Sequence, residues 1–231
     1  MRVAVIDSAT PAITAAVAVI DDDESVKVLA ERVAVDGRAH GELLAPALHA
    51  ALAEAGLTMR DLDAVVAGLG PGPFTGLRVG LVTAAAIADA TGLPAYGVCT
   101  LDAIGLAVAD HGKVLVATDA RRREVYWGFY DKGARVDGPS VCKPADLVLP
   151  DDVVAAAGDG ARIYGEVFGL PLVPAALYPP AADLAALAAR RVLDRAPSEP
   201  LTPLYLRRPD AVEPAARKTV SQPAPPIGPA P

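Results

Sequence analysis

Three short apolar segments alternate with polar turns at the start of the chain. They cover residues 2–7, 13–20 and 25–33, and the polar stretches SATPA and DDDE separate them. Their length and their content of β-branched residues are typical of strands. The pattern predicts an antiparallel meander of three strands.

The next segment changes to the spacing of a helix. In HGELLAPALHAALAEAG, apolar residues recur every three or four positions and Gly56 follows the last of them. This predicts a helix that ends in a left-handed glycine cap. Pro46 lies within the pattern, and proline lacks the N–H that an interior helical residue donates. We therefore expect the helix either to begin near Glu42 or Leu43, or to be kinked at Pro46.

Strands and helices then alternate up to residue 112. The pattern predicts a strand at 62–69, a helix at 74–91 closed by TGLP, a short strand at 95–98 and a helix at 101–110. Residues 1–112 thus have the predicted order βββαβαβα and form an N-terminal lobe.

The opening pattern returns after residue 112. KVLVATDARRREVYWGFYD again has a strand that ends on an aspartate and is followed by a second strand, which places Asp119 where Asp7 stands in the first copy. We interpret this as a degenerate duplication in which residues 113–212 form a smaller C-terminal lobe, with a strand in VVAAAG and a helix at 181–196. Residues 213–231 are rich in proline and are predicted to be a disordered tail.

Composition and charge narrow the class of protein. With 231 residues and 52% hydrophobic residues, the chain suits a globular protein with a core of Val, Leu and Ala. It has no run of ~18 apolar residues, and Cys99 and Cys142 form no metal-binding pair. We expect a cytoplasmic protein without a membrane partner.

The net charge of −7 lies in the first half of the chain. An acidic surface disfavours unaided RNA or DNA binding, because that affinity comes from Lys and Arg contacts with phosphates. Arginine clusters at 121–123, 190–195 and 207–208 point the other way. Solvated surface arginines are their simplest interpretation.

Five short sequence motifs resemble those of one family. GPGPFTGLRVG at 70–80 is similar to the GPGSFTGLRxG signature of TsaB, also called YeaZ, and TDARRREVYWGFY is similar to that family's DARRxEVY segment. PLYLRRPDA resembles the family's PxYLR motif. DSAT and HGELLAPAL are two further motifs, and all five occur in the same order as in the family. The duplicated meanders also resemble the actin-like ATPases. The resemblance implies an α/β fold of the actin-like, RNase H-like (ASKHA) type with two lobes, the second one degenerate.

The resemblance also implies a function. Proteins of this family are understood as non-catalytic subunits that bind the transferase TsaD through the first lobe. They support transfer of a threonylcarbamoyl group to the adenosine next to the anticodon of tRNA. The small ATPase TsaE joins the assembly, and a homodimer is an alternative form. A protein of this family contacts tRNA only through the complex. No cofactor of its own is implied, since ATP and Mg belong to the wider complex. The alternative is a stand-alone actin-fold ATPase or small-molecule kinase.

The glycine-rich loop at 70–80 does not have the spacing of a phosphate-binding loop. It matches neither GxGxxG nor a P-loop, and Pro71 and Pro73 each remove a backbone donor. Small residues instead recur every fourth position and form a stripe along the helix that follows. Such a stripe lets another helix approach closely, either the chain's own first helix or a helix of a partner or second copy. The predicted partner-binding residues are Gly72, Gly76, Gly80, Ala84, Ala88, Leu77, Arg78, Leu44 and Leu48.

The sequence offers residues for two further kinds of site, a nucleotide site and a metal site. In ATPases of this fold, aspartates at the positions of Asp7 and Asp119 hold a magnesium nucleotide, but DSAT and DARRR put bulkier residues where phosphate would approach. We expect these aspartates to cap the adjoining turns, with a vestigial nucleotide site as the alternative. No metal site is predicted, because His40 and His49 are nine residues apart and the HxxxH motif of the catalytic relative is missing.

Overall fold

The computed structural model describes residues 1–207, so the predicted tail at 213–231 lies outside the described part of the chain. The first lobe contains a five-stranded sheet in the order β3-β2-β1-β4-β5. The first three strands are antiparallel and the last two run parallel to β1, which confirms the predicted meander. The strands are β1 (Arg2–Asp7), β2 (Ala12–Ile20), β3 (Val26–Val35), β4 (Ala64–Gly68) and β5 (Ala95–Val98).

Helices α1 (His40–Glu54) and α2 (Phe74–Thr91) cover one face of this sheet. Their apolar residues share one core with the sheet, in which Leu48, Leu77 and Ile6 are at most 1% exposed. The bounds of α2 are those predicted from sequence, with Gly92 in the left-handed conformation after its last residue. Proline and glycine at the two ends fix these bounds.

Helix α1 differs from its prediction at its first turn. It begins at His40, because the carbonyl of Ala39 accepts the N–H groups of Glu42 and Leu43, at 3.1 and 3.0 Å. The prediction of a start near Glu42 or Leu43 is therefore wrong. Pro46 lies inside the helix and has no N–H to donate to the carbonyl of Glu42. Both residues are exposed, so water can bind that carbonyl instead.

The second lobe repeats the first with fewer elements. Its sheet has the order β8-β7-β6-β9, the same arrangement as β3-β2-β1-β4. A fifth strand is missing from it within residues 1–207. This shared strand order confirms a duplicated α/β fold with a reduced second copy. The strands are β6 (Lys113–Asp119), β7 (Val125–Asp131), β8 (Ala134–Cys142) and β9 (Ala155–Ala157).

One helix packs between the two sheets. Helix α3 (Thr100–Ala107) packs Ala103 toward the first sheet and Ile104 toward the second. Short helices α4 (Asp159–Ile163) and α5 (Gly165–Phe168) flank the second sheet, whereas α6 (Ala181–Leu193) returns to the open face of the first. The chain after α6 runs back to the second lobe, where Arg207 binds the carbonyl of Ala120. No helix within residues 1–207 is long and apolar enough to cross a membrane.

Candidate functional site

The glycines of the 70–80 loop allow close contact with the turn between β1 and β2. A Cβ atom on Gly72 would lie 2.2 Å from the carbonyl oxygen of Ala9. The hydroxyl of Tyr126, from the second lobe, donates to the carbonyl of Gly72 at 3.3 Å. The loop therefore lies where the two lobes meet.

The stripe of small residues on α2 faces the same turn. The hydroxyl of Ser8 accepts the N–H of Gly80 at 2.8 Å and donates to the carbonyl of Gly76 at 2.7 Å. It thus bridges two backbone groups one turn apart that bond to each other in an ordinary helix. A Cβ on Gly80 would lie 2.4 Å from this hydroxyl oxygen. The close approach that the stripe permits is to the chain's own β1–β2 turn and, at Gly76, to His40 at the start of α1, where a Cβ would lie 3.1 Å from the imidazole Nε2.

The members of the predicted partner-binding set differ in exposure. Most of its members are inside the chain itself, and a partner could not touch them in this structure. Ala88 is half-buried and Arg78 is exposed. The buried members are Gly72, Gly76, Gly80, Ala84, Leu77, Leu44 and Leu48.

The outer face of α2 carries two exposed apolar residues that were not among the predicted partner-binding residues. Phe74 and Val82 are 47% and 66% exposed and lie beside Arg78 along a groove of about 510 Å³. The prediction was based on the small residues at every fourth position, and these lie on the inner face of the helix. Apolar residues at the complementary positions were the signal that could have found the outer face.

Asp7 caps the turn that follows β1. Its side chain is buried, and its two oxygens accept the N–H of Ala9 at 2.9 Å and the hydroxyl of Thr100 at 2.6 Å. Burial raises its pKa to about 6, against the lowering effect of these two hydrogen bonds. A Cβ on Gly68 would overlap this carboxylate. Asp7 is therefore enclosed on all sides by its own lobe.

Asp119 ends β6 in the equivalent position and has different neighbours. Its carboxylate accepts the N–H of Arg121 at 3.1 Å, and its own N–H donates to Asp159 at 3.2 Å. Burial and the nearby Asp119 raise the pKa of Asp159 to about 6. Asp7 and Asp119 share no bonding partner among the described contacts. Asp159 was not predicted, although the Gly-Asp-Gly sequence that follows β9 could have indicated it.

The described residues contain no group of three or more His, Cys, Asp or Glu side chains arranged to hold a metal ion. His40 is buried and its Nε2 lies 3.0 Å from the carbonyl oxygen of Thr10. His49 is exposed.

The turn between β6 and β7 has an unusual backbone. Arg121, Arg122 and Arg123 have φ angles of 61°, 55° and 62°. These three residues lie within the five-residue connection 120–124, and each non-glycine residue in the left-handed region costs on the order of 1–3 kcal/mol. Hydrogen bonds from Ala120 to Glu124 and from Glu124 to Arg121, both at 3.0 Å, hold the turn closed.

A cleft of about 200 Å³ lies between this turn and the first lobe. Arg121 reaches across it, since a Cβ on Gly37 would lie 2.8 Å from the arginine Nη2 atom. The other lining residues are Ser8, Thr10, Pro11, His40, Pro73, Phe74, Thr75 and Gly76.

An aromatic pair stands at the edge of the same cleft. The rings of Phe74 and Tyr205 stack with their centroids 5.4 Å apart. The guanidinium of Arg78 lies 3.5 Å from the Phe74 centroid, and its Nε donates to the Tyr205 hydroxyl at 2.7 Å. Both rings are more than two-fifths exposed.

Comparison with known proteins identifies the family. Residues 27–204 match the family model described as TsaD, tRNA N6-adenosine threonylcarbamoyltransferase. An uncharacterized protein of Mycobacterium tuberculosis is 53% identical over 206 residues, which are 89% of this chain and 92% of that protein. The tRNA threonylcarbamoyladenosine biosynthesis protein TsaB of Escherichia coli is 36% identical over 135 residues, 57% of this chain and 56% of that one.

Solved structures agree with this assignment. YeaZ from Pseudomonas aeruginosa matches 89% of this chain and 99% of its own length, with a TM-score of 0.72 and 28% identity. The match covers both sheets and confirms the two-lobed actin-like fold. Within the family of the threonylcarbamoyltransferase model, the chain belongs to the TsaB (YeaZ) branch.

Proposed function

We propose that this chain is a non-catalytic subunit of the assembly that makes threonylcarbamoyladenosine in tRNA, and that it acts by binding the catalytic TsaD-type subunit. The observation that carries the proposal is the match to YeaZ over almost the whole of that protein's length. The TsaB protein of E. coli is named for biosynthesis of this modified nucleoside. A TsaE-type ATPase, a homodimer, a cytoplasmic location and contact with tRNA inside the complex belong to the same proposal.

The surroundings of Asp7 support a non-catalytic role. A magnesium ion needs carboxylate oxygens that it can reach. Both oxygens of Asp7 already accept hydrogen bonds within the first lobe, and the carboxyl is 1% exposed. Its raised pKa is a further obstacle, because the proton must leave before a metal ion binds. Asp119 alone would be a weak anchor.

The outer face of α2 supports partner binding. Val82 is the most exposed large apolar residue of the first lobe, and Phe74 and Arg78 lie on the same face. Large apolar side chains and arginine are common at the centre of interfaces. We therefore place the contact with the transferase on this face, with the buried small-residue stripe acting behind it as support.

A charge at Val82 tests this contact. We expect V82D to weaken association with the TsaD-type subunit more than tenfold, because a buried, unpaired carboxylate opposes binding. V148D is the matched control, since Val148 is 84% exposed and lies in the second lobe. Calorimetry of the purified pair provides the measurement. Equal binding by V82D and V148D would place the interface elsewhere.

A reconstituted modification reaction tests the non-catalytic role. We expect product to require both this chain and the TsaD-type subunit, and a D119N variant of this chain to support the same rate as the wild type. Product formed by this chain without the transferase would refute the role.

A further inference from the structure

We infer that residues 203–207, of sequence PLYLR, complete the surface on which this chain binds the TsaD-type subunit. Tyr205 is the positioning residue of this surface, because it holds Phe74 and Arg78 in place on the outer face of α2. The inference rests on the proposed function, since it states how that face is made ready for its partner.

The segment 203–207 is anchored to both lobes by groups other than the Tyr205 side chain. The N–H of Leu204 donates to the carbonyl of Leu69 at 2.9 Å, just after the end of β4. The guanidinium of Arg207 donates to the carbonyl of Ala120 at 3.1 Å, just after the end of β6. Tyr205 lies between these two anchors, so the backbone that carries its side chain is fixed from both sides.

The side chain of Tyr205 contacts two exposed residues of α2. Its ring stacks on Phe74 with the centroids 5.4 Å apart, and its hydroxyl accepts the Nε–H of Arg78 at 2.7 Å. The guanidinium carbon of Arg78 lies 3.5 Å from the Phe74 centroid and 5.7 Å from the Tyr205 centroid. Each of the three groups therefore contacts the other two, and loss of the Tyr205 side chain removes one contact from Phe74 and one from Arg78.

Phe74 and Arg78 lie on the face that we assign to the transferase contact. They line the groove of about 510 Å³ together with Val82, and all three residues are exposed. Surface side chains lose rotamer freedom when a partner covers them, and this loss opposes binding. The loss is large for arginine, because its side chain has many rotamers. A contact that fixes the two side chains before the partner arrives reduces this loss, so Tyr205 favours association.

The same contacts contribute modestly to folding. Tyr205 is 43% exposed, and cation–π contacts at exposed sites are weak. The two anchors of the segment do not use its side chain. The effect of Tyr205 is therefore expected in the affinity for the partner more than in the stability of the chain.

Substitution of Tyr205 tests the inference, with calorimetry of the full-length chain and the purified TsaD-type subunit as the measurement. We expect Y205A to weaken association about tenfold, because it frees both α2 side chains. Y205F keeps the ring on Phe74 but removes the hydroxyl that Arg78 binds, so it should weaken association only about threefold. Y178A is the matched control, because Tyr178 also forms a hydrogen bond with an arginine, Arg162, and lies outside this surface. It should leave the affinity unchanged.

A double-mutant cycle in partner binding separates positioning from a direct contact. In an R78A background the Tyr205 hydroxyl has no guanidinium to bind, so Y205F should be neutral there. An equal loss from Y205F in both backgrounds would show that the hydroxyl acts on the partner or on the segment itself, and it would overturn the positioning role. Because Y205F keeps the ring and its packing, the cycle gives its answer even if Y205A does not fold.

The outcomes distinguish this inference from the proposed function. Wild-type affinity in Y205A and Y205F, with V82D still weakened, would overturn the role of Tyr205 and leave the subunit role standing. A loss in Y178A equal to that in Y205A would show that the effect is not specific to this surface, which also overturns the inference. Failure of the wild-type chain to bind the TsaD-type subunit at all would count against the proposed function.

Discussion

Asp7 shows how the surroundings of one residue limit what its carboxylate can bind. Asp7 ends β1, the position at which the resemblance to actin-like ATPases implies a nucleotide-binding aspartate. Here Ala9 and Thr100 occupy its oxygens, and Gly68 packs directly against them. The carboxyl has become part of the core, and its ionisation works against folding.

The stability of the protein should therefore depend on pH through this residue. Because the pKa of Asp7 in the folded state, about 6, is above the ordinary aspartate value of 3.8, the folded state still holds a proton that the unfolded state has lost between these pH values. The free energy of unfolding falls as pH rises from about 4 to 6, by up to ~3 kcal/mol for a group shifted this far. We expect D7N to remove this part of the dependence, as measured by urea unfolding at several pH values.

Asp159 provides the internal comparison for that measurement. Its pKa is also raised to about 6, so D159N should flatten the same pH range, and the double variant should flatten it further. An unchanged pH dependence in D7N would show that the carboxyl is hydrated in the folded state.

At the scale of elements, α2 is defined by the contact between its glycines and Ser8. The Ser8 hydroxyl bridges the backbone groups of Gly76 and Gly80, and a Cβ at residue 80 would come within 2.4 Å of it. Glycine inside a helix costs up to ~1 kcal/mol relative to alanine, and this contact explains why the helix keeps it.

A double-mutant cycle measures this contact. We expect G80A to destabilise the wild type by about 1–3 kcal/mol through overpacking. In an S8A background the hydroxyl is gone, so the same G80A change should be neutral or stabilising through helix propensity. Urea unfolding of the four proteins gives the coupling energy. Additive effects would show that Ser8 and Gly80 do not depend on each other.

The elements show which parts of the fold the sequence could predict. The bounds of α2 and β5 follow from local signals, because Pro73, Gly92 and Pro94 end or begin each element by backbone chemistry alone. The inner direction of the Gly76–Gly80 stripe does not follow from spacing, since the spacing fits any close neighbour. The buried Asp159 and the exposed Phe74 depend on how the two lobes pack, which a local pattern does not encode.

At the scale of the whole molecule, the two lobes share one strand order and a narrow cleft lies between them. The duplicated strand order places Asp7 and Asp119 at equivalent strand ends. Asp7 is buried, and the β6–β7 turn brings Arg121 over the cleft toward Gly37. A cleft of about 200 Å³ is also smaller than the pockets that usually hold a whole nucleotide.

We therefore expect the isolated chain to bind MgATP more weakly than about 1 mM, a dissociation constant that corresponds to ~4 kcal/mol. Isothermal titration of the wild type and of D119N should give the same small heats. The reason is that Asp7 and Asp119 do not have free carboxylate oxygens with which they could bind one magnesium ion together. Micromolar binding that D119N abolishes would instead show a working nucleotide site and favour a stand-alone ATPase or kinase. Binding that appears only after the TsaD-type subunit is added would locate the nucleotide in the assembly and leave the cleft of this chain to other ligands.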